Sequence, residues 1–501
     1  MISVFIQEQK RYTQKDLMGI FQVSADKIVN IIRILKEFDI LKIVKITDIQ
    51  KNMSDLLMED IEVASVEVGG NEQLYVFTFV GVVIVNGIVL KCYPKYIVTN
   101  KTPKKEMKKI LRVLQKYNAK EQIVRMYNDG YDSKLSNFLA IMLYLLNDYY
   151  ENGAYINEKE TIEINGTGEI QWEKTINESF AILGNNKPYY TELKTKKRII
   201  DNYDYIKRLH ECILRLCSQE LKNADLLYLF DITPINISDE TLDDFGEKDF
   251  ILYRIENELS VQFSTRKQLL LKTMYAFING DNGLNDIDCF NSFGTNNFNL
   301  VWEKVCSEIF DNQLQKQLGA LNLPVILLNE YDSKKALISV IEKVQWIGYK
   351  QDGSKFQREA NDTLRPDIVT MFVKNNVHSF IILDAKYYNL RLIPNEKLSG
   401  QPGINDITKQ YLYELAFKKF INDHKIENIK NCFLIPTDEE TLLDYGYVKM
   451  NMFELLNLQN ISLWKLPADE MFTYYLDNKK IDILAFLENI KVEKQKTVLQ
   501  D

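Results

Sequence analysis

The sequence predicts an α+β multidomain protein: a winged-helix-like and β-rich N-terminal region, a mainly helical middle, and a C-terminal α/β domain with a mixed sheet. Three observations lead there. At 501 residues the chain is too long for one ordinary core and has room for roughly two to four domains. Hydrophobic residues at 46% and charged residues at 26% are globular proportions, which excludes a largely disordered or fibrous chain. Apolar periodicity then changes along the chain, from helix-turn-helix-strand, through helical spacing, to alternating strands and helices after about residue 298.

Charge and special residues narrow the function. Lys+Arg total 62 against 70 Asp+Glu, a net charge of −8, so nucleic acid is not held by bulk charge and any contact comes from local patches. Six cysteines include no C-x-x-C pair and lie mostly in apolar runs such as VWEKVCSEIF, as expected of reduced core residues in a cytoplasmic protein. His210, His378 and His424 are far apart, which argues against structural zinc and leaves a hard-cation site built from carboxylates open. MISVFIQEQKRY has no leader pattern, and no stretch reaches the ~18 apolar residues of a membrane span, so no membrane association is expected.

In order along the chain, Thr13 with Asp16 forms a capping-box pattern opening a helix to about Phe21. Ser24 caps a second helix whose Ile28, Ile31, Leu35 and Phe38 keep helical spacing. Helix, turn, helix, strand (1–48) is the order of a winged helix. Its second helix either enters a DNA groove through Lys27, Asn30 and Arg33 or serves as a packing and protein-docking module. The β-rich segment 49–104 contains two strands around Asn86-Gly87, a pair suited to a type I′ hairpin. KTPKKEMKK (101–109) reads as a solvated helix start rather than a phosphate clamp.

The middle region, 105–285, is mainly helical, with SNFLAIMLYLLNDYY its clearest buried helix. Within it, 155–176 alternates and carries Gly166 and Gly168, predicting a strand, a turn and a second extended run. Its Gly-Thr-Gly lacks the spacing of a phosphate loop, which disfavours nucleotide binding. The basic, tyrosine-containing stretch 187–208 is expected to be a solvated helix face, with a nucleic-acid backbone contact as the alternative.

The chemistry concentrates in the last segment, 286–501. In LRPDIVTMFVKNNVHSFIILDAKYYNL two strand-like runs flank Asn375-Asn376, a pair that tolerates positive φ and suits a tight hairpin. Asp367 then opens one strand while Asp384 and Lys386 close its neighbour, so two carboxylates and an ammonium meet at one end of the hairpin. Such a charged set beside a buried strand requires a partner or a metal, and Mg²⁺, which takes oxygen ligands and keeps several waters, is the natural candidate. The lysine can orient or help deprotonate a water and offset charge developing on phosphorus. Acid-x-Lys recurs at Asp132/Lys134, Glu192/Lys194 and Asp423/Lys425, but nowhere after a long apolar strand paired with a Pro-Asp strand start. Upstream, FNLVWEKVCSEIF is an amphipathic helix on which Glu303 lies beside the apolar stripe and within reach of such a metal; Glu308 is the weaker candidate. Downstream, GQPGINDITKQYLYELAF gives a loop and a helix expected to be capped by Asn405 or Asp406. Gln410 and Tyr413 share one of its faces, where the amide can orient the lysine, a water or a phosphate.

Asp367, Asp384-Ala385-Lys386, the preceding Glu303 and the helix Lys409-Gln410 resemble the PD-(D/E)xK nuclease superfamily. With VGVVIVNGIVLKCYPKY (80–96) and GTGEIQWEKTI (166–176) added, the chain is similar to LlaJI-type restriction endonucleases, relatives of the McrC subunit of McrBC systems. The resemblance implies an Mg²⁺-dependent endonuclease subunit that cuts double-stranded DNA. Asp367, Asp384, the Ala385 carbonyl and Glu303 would hold the metal, with Lys386 and Gln410 completing the catalytic set. It also implies a separate McrB-like AAA+ GTPase partner, which agrees with the lack of a Walker A sequence here. Cutting both strands requires two active sites, hence a homodimer during cleavage. The alternative is a DNA-binding or motor-stimulating adaptor without cleavage activity of its own.

Overall fold

The computed structural model describes residues 1–44, 74–128, 137–185, 187–200, 203–280, 290–489 and 491–492. The chain is a mixed α+β protein that divides into two compact units, one joining residues 2–128 to 293–501 and the other spanning 129–292. Asp132/Lys134 and Cys289 lie outside the described residues.

The N-terminal part follows its sequence signals closely. Strands β1 (Ile2–Gln7) and β2 (Arg11–Tyr12) precede helix α1 (Gln14–Phe21), where Thr13 and Asp16 close the expected capping box with bonds of 3.1 and 2.8 Å. Helix α2 (Ala25–Glu37) buries Ile28, Ile31 and Leu35, but Ser24 makes no side-chain cap bond. Strands β3 (Leu41–Val44) and β4 (Leu74–Phe77) form a sheet with β2 in the order β2-β4-β3. Strands β5 (Val80–Val85) and β6 (Ile88–Tyr93) are the expected hairpin, with Asn86 at φ 48° and Gly87 at φ 74°. Every residue of both is buried, because β6 pairs on its other edge, in parallel, with β1. Helix α3 (Lys104–Asn128) begins at the lysine run.

The 129–292 unit carries helix α4 (Phe138–Asn152), the predicted buried one, followed by strands β7 (Glu158–Ile164) and β8 (Glu169–Ile170). The second extended run lasts two residues and then turns into helix α5 (Trp172–Glu178). The basic stretch is not a helix face: it forms strands β9–β10 (Ala181–Gly184, Lys187–Tyr190), of which β10 is its start, and β11 (Lys194–Ile200), becoming helical only at α6 (Tyr205–Asn223). The reason is cross-strand pairing. β11 lies antiparallel to the acidic β7, where Arg198 faces Glu160 and Lys197 reaches Glu163 at 3.5 Å, so its positive charge is neutralised within the sheet. Helices α7 (Lys248–Val261) and α8 (Thr265–Asn279) complete this unit.

After strand β12 (Phe290–Thr295), which joins the β1-β6-β5 sheet, the C-terminal layer begins with helix α9 (Phe298–Ile309). A two-stranded ribbon, β13 (Gln345–Tyr349) and β14 (Lys355–Glu359), stands apart from the larger sheets. Then come β15 (Ile368–Lys374), β16 (Val377–Ala385), α10 (Ile404–Asp423), β17 (Asn428–Thr437), β18 (Leu443–Val448), β19 (Ile461–Pro467), α11 (Ala468–Leu476) and β20 (Lys491–Val492). The sheet runs β15-β16-β17-β19-β18-β20 and is mixed as expected, since β16-β17-β19 are parallel while β15 and β18 pair antiparallel. Helix α10 covers it through Phe417 and Phe420 against Val369, Phe380 and Ile382, and through Tyr411 against Phe433 and Ile435. Helix α9 is fixed by Trp302, whose indole Nε1 donates to the Leu434 carbonyl at 3.1 Å.

Candidate active site

The site is built by the β15–β16 hairpin. Asn375 (φ 50°) and Asn376 (φ 65°) form its turn, and the register runs from Lys374 opposite Val377 to Ile368 opposite Leu383. One step further, Asp367 and Asp384 meet at the open end. Asp367 Oδ2 accepts from the Ala385 N–H at 3.0 Å, and Asp384 Oδ2 lies 3.1 Å from Lys386 Nζ. Asp367, Ala385 and Lys386 open on a cavity of about 130 Å³, also lined by Asn299, Glu303, Tyr387, Tyr388 and Asp406, whereas Asp384 is buried and not part of its lining. Glu303 enters it from α9, half-buried beside the apolar stripe.

Burial controls the electrostatics. Asp384 is 3% exposed, and desolvation first, then the charge of Asp367 and a hydrogen bond shared with it, drive its carboxyl well above the usual range. Asp367 is raised by burial and partly relieved by that shared bond. Burial also raises Glu303, with the charge of Asp384 adding to it. For Lys386 burial opposes the ammonium, but Asp384 and then Asp406 outweigh it and hold Nζ above its ordinary value. The Tyr413 hydroxyl, buried and facing the charge of Asp384 and Asp367, is pushed up to about 12.

The buried Asp384 and the half-buried Asp367 form a hard oxygen donor set, and the raised carboxyls of both mark a site that favours added positive charge. With the Ala385 backbone beside them they suit Mg²⁺, which binds through one or two carboxylates and keeps several waters. Among the described residues no three His, Cys, Asp or Glu side chains gather closely enough to hold a metal, so Glu303 lines the cavity without completing a three-acid cluster.

Other candidates lie elsewhere. Gln410 is fully buried two turns into α10, where its Nε2 donates to Asn431 Oδ1 at 2.5 Å and to the Ile382 carbonyl at 3.4 Å. It braces the β16 and β17 backbones and does not line the cavity. Glu308 pairs with Lys304 at 3.1 Å on the outer face of α9. On α2, Lys27 and Arg33 are exposed and Asn30 half-buried, and the Arg33 guanidinium reaches Asn30 Oδ1 at 2.9 Å and Glu37 at 3.3 Å.

Two groups were not legible as site residues. The α10 N-cap is Gly403, so Asn405 and Asp406 fall inside the first turn. The Asp406 carboxylate, freed from capping, takes Lys386 Nζ at 3.0 Å and the Tyr388 hydroxyl at 3.2 Å. An acid in the first turn after a Gly/Pro loop was the available signal. The second group is Glu8, 379 residues before Tyr387, whose hydroxyl donates to it. Glu8 also accepts from the Lys95 N–H at 3.2 Å, and Lys95 Nζ sits 4.8 Å over the Tyr387 ring. No local sequence pattern announces that contact.

Comparison with known proteins places these features in context. The model of the LlaJI restriction endonuclease family matches residues 79–469. The type II restriction enzyme BsuMI component YdjA of Bacillus subtilis (strain 168) is 28% identical over 430 residues, covering 84% of this chain and 86% of that protein. Among solved structures, a half-complex of Thermococcus gammatolerans McrB AAA+ hexamers with bound McrC aligns over 95% of this chain and 99% of that chain, at 13% identity and a TM-score of 0.35. The McrBC complex from the same organism aligns over 60% and 85% respectively, at 12% identity and a TM-score of 0.24.

Proposed function

The chain belongs to the LlaJI restriction endonuclease family, and from that premise we propose that it is the Mg²⁺-dependent endonuclease subunit of a phage-defence restriction system, hydrolysing phosphodiester bonds of double-stranded DNA. The observation that carries this reading is the meeting of Asp367, Asp384 and Lys386 at the open end of one hairpin, where Asp367 and Lys386 line a polar cavity and Asp384 holds the lysine. In this reading the C-terminal mixed sheet is a PD-(D/E)xK nuclease core. Asp367, Asp384 and the Ala385 carbonyl would hold the metal, with Glu303 adding negative charge to the cavity wall. Bound Mg²⁺ would polarise a phosphoryl oxygen and acidify a coordinated water.

The chain's own residues then divide the work. Lys386, held between Asp384 and Asp406, orients the attacking water and offsets charge developing on phosphorus. Gln410 acts at one remove, fixing the β16 backbone on which Asp384 stands. The family resemblance supports an McrB-like AAA+ GTPase as the partner that delivers DNA, and the acidic net charge of −8 suits a subunit whose substrate is brought to it. Two strand breaks call for a homodimer during cleavage. Buried, unpaired cysteines at positions such as 92, 306 and 432 support a cytoplasmic setting, and among the described residues no helix is long and apolar enough to cross a membrane.

The test is Lys386→Ala, assayed with Mg²⁺, duplex DNA and the AAA+ partner. Cleavage is expected to fall by about 10²- to 10³-fold or more while circular dichroism and partner co-purification stay unchanged. Cleavage at the wild-type rate would reject the assignment and favour an adaptor without cleavage activity.

A further inference from the structure

We propose that the β13–β14 ribbon enters a groove of the DNA duplex being cut; this rests on the nuclease reading above. Among the described residues the ribbon pairs with no other strand. An isolated hairpin is marginal in water, yet this one exposes Trp346 at 68%, Ile347 at 61% and Tyr349 at 70%. Its register sets Trp346 opposite Arg358 and Tyr349 opposite Lys355, so each face of the ribbon presents an aromatic ring beside a cation. Gly348 carries no side chain because the Phe356 ring occupies that place: a Cβ there would come within 2.6 Å of Phe356 Cζ.

Lys350, Lys355 and Arg358 outnumber Asp352 and Glu359 on the ribbon by one. Asp352 is engaged by Ser354 through its N–H at 2.9 Å and its hydroxyl at 2.7 Å, and Glu359 pairs with Lys343 at 3.6 Å. Lys350, Lys355 and Arg358 form no ion pair among the described residues, in a chain whose net charge is −8. Cations without ion pairs, interleaved with exposed rings, suit a polyanion whose grooves also offer sugars and apolar base edges to the rings.

Position agrees with that occupant. The ribbon root is closed by Thr363 Oγ1 donating to the Glu342 carbonyl at 2.7 Å, and Ile341 and Val369 share one core. Thr363 precedes Asp367 by four residues, a span of at most about 14 Å. Five-residue strands rise about 17 Å from that root, and a major groove ~12 Å wide and ~8.5 Å deep admits a two-stranded ribbon. The tip is preorganised by Lys350 N–H to Ser354 O at 2.8 Å and Gly353 N–H to Lys350 O at 2.9 Å.

The experiment titrates full-length protein into a fluorescently labelled duplex without Mg²⁺ at several salt concentrations. Relative to wild type, Lys350→Ala/Lys355→Ala/Arg358→Ala should bind about tenfold or more weakly, with a salt slope shallower by about 2 to 3. Trp346→Ala should weaken binding several-fold, and the duplex should quench wild-type tryptophan fluorescence more than that of Trp346→Phe. Because these side chains are exposed, melting temperatures should not change. Wild-type affinity and slope in both ribbon variants would overturn the proposal, as would a wild type that binds no duplex. A change in oligomeric mass with unaltered DNA binding would also overturn it, making the ribbon a self-association surface. The two readings fail separately. Ribbon-dependent binding without cleavage, with Mg²⁺ and partner present, removes the nuclease reading alone. Normal binding by the ribbon variants, while Lys386→Ala alone stops cutting, removes the ribbon alone.

Discussion

Lys386 Nζ stands between Asp384 at 3.1 Å and Asp406 at 3.0 Å, so one ammonium is oriented by two carboxylates from different elements. Asp384 belongs to β16, which ends one residue before the lysine, whereas Asp406 comes from the first turn of α10 and, in the nuclease reading, positions the lysine. Asp406→Asn should therefore lower kcat by about 10- to 100-fold with little change in KM for DNA, and shift the pH–rate profile. An unchanged profile would show that the lysine is held without it. The carboxylate pair makes a second prediction. The folded pKa of Asp384 lies above its unfolded value, so the stability tied to its protonated form is present below the ordinary carboxylate range and is lost as pH rises through the raised folded value. In metal-free protein, Asp384→Asn should melt higher than wild type at neutral pH, and the gap should widen as pH rises from acid. Mg²⁺ should raise the wild-type Tm and leave the variant's unmoved. Equal responses of the two proteins to pH and Mg²⁺ would show that burial beside Asp367 does not raise Asp384.

At the scale of elements, alternation and turn chemistry made the β15–β16 hairpin legible. Asn375 and Asn376 occupy left-handed backbone conformations that a β-branched residue resists, so Asn375→Val should cost about 1–2 kcal/mol in denaturant unfolding. A cost near zero would mean that the turn does not fix the register. The β5–β12 contact is tighter. Gly81, at φ 144°, leaves no room for a Cβ, which would fall 2.1 Å from the Phe293 carbonyl oxygen and 2.6 Å from Gly294 Cα. Gly81→Ala should yield little folded protein, read by solubility and melting, because both obstacles are backbone. The stretch 187–208 shows the limit of local reading. Its lysines suit a helix face, but the partner strand β7 supplies the opposing acids, and that pairing lies about thirty residues upstream in the chain.

At the scale of the whole molecule, residues 2–128 and 293–501 form one compact unit although the 129–292 unit separates them in sequence. Several bonds join the two stretches: Glu8 with Tyr387, the Val98 and Thr99 N–H groups with Asp438 Oδ2 at 2.8 Å each, and Lys109 Nζ with Thr473 Oγ1 at 3.0 Å. Tyr387 adjoins Lys386, so the N-terminal segment supports the residue beside that lysine. A fragment containing only 293–501 should be poorly soluble, and co-expression with 1–128 should restore it. A soluble, cooperatively melting fragment on its own would show that these contacts are dispensable.

The sequence by itself determined the α1 capping box, both Asn-containing hairpins, the mixed C-terminal layer and the meeting of Asp367, Asp384 and Lys386. Each of these is set by a period of two or 3.6, or by a turn that only certain residues tolerate, within a few dozen positions. Only the tertiary structure decided that Gln410 braces the sheet beneath the cavity, that Asp406 grips the lysine instead of capping its helix, and that Glu8 reaches Tyr387 from the far end of the chain. Those contacts depend on how packed elements face one another, and no local pattern encodes the partner of a side chain hundreds of residues away.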